Sequence, residues 1–153
     1  MPRRAFRIAY DGGPFHGFQR QPDVPTVEDR LLDACEALGL VDAGESDGTP
    51  DDGNAASRPT PPGYAAAGRT DAGVSALAQT VAFDVPDWCT PRALNAELPG
   101  AVRAWASADA PAGFHATHDA TRRRYRYFLH APPADADDDR ARGAAAALSG
   151  EHD

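Results

Sequence analysis

The chain has no lysine. Its 153 residues hold fifteen basic side chains, all arginine, against twenty-three acids, of which eighteen are aspartate. The formal net charge is −8. This bias points to a GC-rich, salt-loving source, in which an acidic surface keeps a protein hydrated. Cysteine is also scarce. Cys35 and Cys89 make neither a disulfide framework nor a metal-ligand pair, and both read as small buried hydrophobes. No apolar run approaches the ~18 residues a membrane span needs. No apolar stretch precedes Asp11, which excludes a signal peptide and makes the cytoplasm the default compartment.

Hydrophobic residues make up 42% of the chain, enough for one domain with its own core. An acidic balance argues against a nucleic-acid partner unless the charge is unevenly placed, and it is. Residues 41–63 carry one arginine against five acids, and 132–153 carry two against six. The remainder is near neutral, with a basic cluster at Arg122, Arg123, Arg124 and Arg126.

Alternation predicts a strand over Ala5–Tyr10, followed by a Gly/Pro-rich loop from Asp11 to Pro22. Thr26, with Asp29 three residues on, is a capping-box variant that opens a helix. That helix places Val27, Leu31, Ala34, Cys35 and Leu38 on one stripe, with Gly39 as terminator. Residues 41–62 have no apolar period and read as a flexible acidic insertion. Tyr64–Ala67 is a short apolar run, and Gln79–Val85 is a strand with Val81, Phe83 and Val85 on one face. Thr90 and Pro91 start a second helix that stops before Pro99, and Ala101–Ala106 is another strand. Thr121–His130 reads as a further strand, and the acids of Asp135–Asp139 as a solvated linker into an alanine-rich helix ending near Gly150. Up to Ala106 the order is β-α-β-β-α-β, the split βαβ of a ferredoxin-like α+β domain with an antiparallel sheet. Two helices cover one sheet face, and the other is free to carry a binding surface.

The segment richest in chemistry is G-R-T-D-A-G-V, Gly68 to Val74. Glycines at 68 and 73 permit a tight turn and the close approach of another backbone. A cation such as Arg69 near Asp71 would keep its carboxylate ionised in a partly desolvated cleft. By turn chemistry alone the loop reads first as a β-turn with an Asx-type hydrogen bond. His115 and His118 lack a third ligand and read as loop histidines, so no metal is expected.

These residues resemble the catalytic loop of TruA-type tRNA pseudouridine synthases. Tyr10–Gln21 (Y-D-G-G-P-F-H-G-F-Q-R-Q), Thr26–Asp29 (T-V-E-D) and Leu94–Gly100 (L-N-A-E-L-P-G) agree with the family in order and spacing. So do Gly113–Thr117 (G-F-H-A-T) and Ala120–Tyr127 (A-T-R-R-R-Y-R-Y). The resemblance spans nearly the whole chain outside 41–62. It implies a nucleophilic role for Asp71, RNA contact by Arg69, and packing of Tyr125 on the target uracil. It implies a polar patch at Arg20 and Gln21 beside the cleft. Phosphate contact by Arg122, Arg123 and Arg124 fits the basic cluster.

Two positions depart from the family: Ser75 stands where a histidine is usual, and Thr117 where an arginine is usual. The resemblance also implies a substrate, the tRNA anticodon stem-loop (family positions 38–40), and a homodimer that holds it. It places a catalytic domain at 1–131, with 132–153 as acidic linker and the start of a second domain. The implied isomerisation breaks the ribose C1′–N1 bond and reattaches uracil through C5. It needs no redox change, energy input or cofactor. The rival reading from another class is a non-catalytic RNA-binding module of the same topology.

Overall fold

In the computed structural model, which describes residues 1–41, 59–128, 130, 132 and 137–151, the first strand runs from Arg3 to Tyr10 (β1). Phe6, Ile8 and Tyr10 point inward and are buried, as their alternation predicts. Helix α1 spans Val27–Ala37. Thr26 Oγ1 accepts the Asp29 amide at 3.2 Å and donates to the Asp29 carboxylate at 2.7 Å. In the usual box, the third helical residue reaches the cap's backbone amide; here it takes the cap's hydroxyl instead. Such caps are worth ~1 kcal/mol. α1 closes at Leu38, followed by Gly39 in the left-handed region at φ 67°.

Strand β2 is short, Ala65–Ala66, and β3 runs Ala76–Asp84. Helix α2 covers Pro91–Glu97, with Thr90 Oγ1 accepting the Ala93 amide at 3.4 Å, and β4 covers Val102–Asp109. The sheet order is β2-β3-β1-β4, with every neighbouring pair antiparallel. Each β-α-β unit therefore straddles a strand of the other, which is the ferredoxin-like arrangement expected from the element order.

Both helices lie on one face. Leu31 and Cys35 of α1 and Leu94 of α2 join Phe6, Ile8, Val81 and Phe83 in the main core. The Phe6 and Phe83 rings stack with centroids 5.0 Å apart. Both cysteines are buried free thiols, and burial pushes Cys35 up to about 12, so it stays a thiol and packs as an apolar group. The opposite face carries a smaller cluster, in which Ala116 and Phe114 pack with Ala65 and Ala82.

Most of the expected insertion, 42–58, lies outside the described residues. Its end is tied down: the Asp84 amide donates to Pro62 O at 2.8 Å and the Tyr64 amide to Pro61 O at 3.1 Å. The chain divides into two units, Met1–Thr121 and Arg122–Asp153. In the second, helix α3 spans Asp138–Ala147. The Asp137 carboxylate accepts the amides of Asp139 and Arg140 at 3.1 and 3.0 Å. Residues 137–139 of the acidic stretch are therefore a helix start and not a linker, with carboxylates at the positive end of the helix dipole.

One expectation is corrected. No strand forms among the described residues of 121–130: none of them enters a ladder, and Tyr127 and Phe128 are exposed. Alternation supplies a strand's pattern, but a strand exists only where a neighbour completes its backbone hydrogen bonds.

Described ion pairs such as Arg30–Asp33 and Arg142–Asp139 are well exposed and contribute little in dilute salt. With a net charge of −8, self-repulsion dominates. Thermal melts should therefore rise in midpoint from dilute to molar KCl, as the Debye length falls to about 3 Å. A flat or falling midpoint contradicts the salt-adapted reading.

Candidate active site

Two loops meet at the end of the sheet where β1 finishes and β3 begins. The first, Asp11–Gln21, leaves β1; the second, Ala67–Ser75, joins β2 to β3. They are stitched by backbone. The Phe18 amide donates to Thr70 O at 2.9 Å and the Gly73 amide to Phe15 O at 3.2 Å. Side chains add to this. Tyr10 Oη and Thr70 Oγ1 are 2.8 Å apart, and the Gly12 amide donates to Ser75 Oγ at 3.0 Å. Gln79 donates from Nε2 to Gly68 O, closing the base of the second loop.

The close approach of another backbone expected at Gly73 is made instead by glycines of the first loop. A Cβ on Gly12 would stand 2.2 Å from Val74 O, and one on Gly17 2.9 Å from Thr70 O. Gly73 provides the turn, at φ 78° with open space around it. The Val74 amide returns to Asp71 O at 3.1 Å, so Asp71 opens the β-turn that turn chemistry suggested, closed through its backbone oxygen and not through an Asx-type bond.

Asp71 is exposed, while the backbone on both sides of it is held. Arg69 is exposed in the same loop. Gln21 folds back, its Nε2 donating to His16 O at 2.7 Å. Arg20 turns toward the protein: its amide donates to Glu28 Oε2 at 2.8 Å and its Nε is buried. The Tyr64 hydroxyl is buried in the same cluster. Burial first, and then the Glu28 charge, push its pKa well above the ordinary value, with Arg20 opposing. Arg122, Arg123, Arg124 and Tyr125 belong to the second unit and are exposed.

Both positions that depart from the family have structural work. Ser75 ties the two loops, and Thr117 Oγ1 donates to Ala66 O at 2.6 Å, holding the 113–119 segment to β2. The Tyr10–Thr70 bond and the Gly12 contact were not foreseen. Only the nearness of Y-D-G-G to a strand end hinted at them. His115 Nδ1 accepts the amides of Thr117 and His118 at 3.2 and 3.4 Å, so this histidine organises its own loop. Among the described residues no group of three or more His, Cys, Asp or Glu could hold a metal ion, and no helix is long and apolar enough to cross a membrane. A cavity of about 630 Å³ lies at the opposite end of the sheet, lined by Arg3, Tyr64, Asp84 and His115, away from both loops.

No family model matches the chain. It is similar to a tRNA pseudouridine synthase A of Natronomonas pharaonis, 61% identical over 150 residues, covering 98% of this chain and 51% of that protein. A tRNA pseudouridine synthase A of Halobacterium salinarum is 56% identical over 153 residues, covering 100% and 52%. One of Methanosarcina acetivorans is 40% identical over 153 residues, covering 99% and 51%. The chain spans about half the length of the curated relatives it matches. The salt-loving source read from composition agrees with the haloarchaeal relatives.

Proposed function

Because the chain belongs to the tRNA pseudouridine synthase A family, we propose that it carries the nucleophile of an enzyme converting uridine to pseudouridine in the anticodon stem-loop of tRNA. The observation that carries this reading is the mounting of Asp71: an exposed carboxylate on a loop whose backbone is bonded to the neighbouring loop on both sides. A covalent nucleophile splits one hard step into two easier ones, provided it does not wander. An Asp71 oxygen forms a bond to the target nucleotide, the C1′–N1 bond breaks, the uracil turns, and C5 takes the place of N1 on the ribose. The bond to Asp71 then breaks and frees the carboxylate, C5 loses its proton and N1 gains one, so the product is an isomer of uridine. Nothing is oxidised or reduced.

The target base must leave its stack, at a cost of a few kcal/mol. Tyr125 offsets this by packing on the uracil, with Arg69 and the Arg122, Arg123 and Arg124 run holding phosphates. Gln21 lines the cleft. Arg20 supports it from within through Glu28, the role that its buried Nε favours. The working unit is a homodimer in the cytoplasm, where tRNA is matured.

Activity further requires the other half that the longer relatives possess. The 153 residues by themselves should bind tRNA weakly and form little or no pseudouridine. The same residues extended to the relatives' length should do both. Assaying both proteins on unmodified tRNA tests this. Tight tRNA binding by both with no pseudouridine from either supports the non-catalytic RNA-binding reading instead.

A further inference from the structure

The helix-free face of the sheet is unevenly covered. Toward β2, Phe114 and Ala116 lie on it. Two large apolar side chains stand exposed, Leu77 of β3 at 85% and Trp105 of β4 at 57%. Trp105 occupies an irregularity in the β1–β4 register: Arg7 pairs with Ala106 and Ile8 with Ala104, so Trp105 is the extra residue.

Its Nε1 donates to Leu77 O at 3.0 Å. Leu77 is in β3, and β1 lies between β3 and β4, so the indole must cross β1. A crossing on the helix side would bury it in the core. Its exposure puts it on the helix-free face, at the level of Ala9, whose methyl leaves room for a ring. The indole is anchored at both ends, with one side against the strand and the other toward solvent. Arg7, paired with Thr80 and Ala106 in the neighbouring strands, stands beside it on this face; it is exposed and donates from Nη1 to Ala78 O at 3.2 Å. Leu77 directly follows Ala76, the partner of Tyr10, so this platform borders the two-loop site.

We propose that Trp105, with Arg7 beside it, is a stacking platform for an unpaired base of the RNA beside the target nucleotide. A pre-oriented indole loses little freedom on stacking, and every base has a π-face to offer. The charge decides for RNA as the occupant. In a chain of net −8, this open face presents the Arg7 guanidinium, which complements a phosphate. The proposal rests on the tRNA reading above.

The test uses the chain extended to its relatives' length, with Trp88→Phe leaving Trp105 as the sole tryptophan of this chain. Unmodified tRNA should quench the Trp105 emission saturably. Trp105→Ala should weaken tRNA binding about tenfold. Trp105→Phe should restore most of that loss, because it keeps an aromatic face and gives up only the bond to Leu77 O. Three outcomes overturn the proposal. One is tRNA binding without quenching. Another is an indole already shielded from acrylamide before tRNA is added, meaning the rest of the protein covers it. The third is shielding that grows with protein concentration, meaning a second copy covers it. Pseudouridine formation separates this from the functional reading. Normal formation with an indifferent Trp105→Ala sinks the platform alone, whereas no formation by the unsubstituted protein sinks the enzyme reading itself.

Discussion

Asp71→Asn, in the chain extended to its relatives' length, is expected to abolish pseudouridine formation, by at least about a thousandfold. tRNA affinity should stay within about tenfold, or ~1.4 kcal/mol. Asparagine keeps the size of the side chain and its capacity to accept a hydrogen bond, so the turn closed by Val74 N and Asp71 O should persist at 3.1 Å. Only the oxygen anion is lost. If Asp71 were merely a turn residue, asparagine would leave the protein working. The proper control is Asp87, which is exposed. Asp84 is a poorer one, because it pairs with Arg3 at 3.3 Å between β1 and β3. Pseudouridine content of tRNA, a binding isotherm and a melt decide the matter together. A folded, tRNA-binding Asp71→Asn protein with near-normal turnover removes Asp71 from the mechanism.

Gly12→Ala should lower turnover about a hundredfold without touching a reacting group. The added Cβ would lie 2.2 Å from Val74 O, 2.3 Å from Val74 C and 2.8 Å from Gly73 C. All three are backbone atoms, so no rotamer can relieve the clash, and residues 73–75 must move. That strains the Gly12–Ser75 bond and shifts the loop that carries Asp71. A displacement near 1 Å costs a well-oriented reaction about a hundredfold. Overpacking of this kind destabilises by ~1–3 kcal/mol, little enough for the chain to remain folded. Gly73→Ala should lose less, since its surroundings are open and only its φ of 78° is unfavourable. Gly100→Ala, with nothing within 4 Å, should behave as the unsubstituted protein. The ratio kcat/KM and the melting midpoint of the three variants provide the ranking. If Gly12→Ala proves as active as Gly100→Ala, the two loops are not coupled.

What could be read in advance follows from the range of the interactions concerned. The Thr26 and Thr90 caps, the alternation of Phe6, Ile8 and Tyr10, and the stop at Gly39 depend on neighbours a few residues away. Local chemistry therefore announces them. Asp71 was legible as a turn residue on the same ground, and as a candidate nucleophile through ordered motifs. The 121–130 segment shows the limit: arginine and tyrosine alternate there with a strand's period, yet no ladder forms among its described residues.

Sequence by itself thus determined the element order as far as β4, the buried stripes, the caps and the identity of the loop that carries Asp71. Tertiary structure decided which glycine admits a second backbone, that Ser75 and Tyr10 hold the two loops together, and that the Trp105 indole spans β1 to reach Leu77 O. These pairs are separated by 28 to 63 residues. A hydrogen bond or a steric clash between such partners has no periodic trace along the chain. It exists only once the order β2-β3-β1-β4 has brought the strands, and the loops at their ends, side by side.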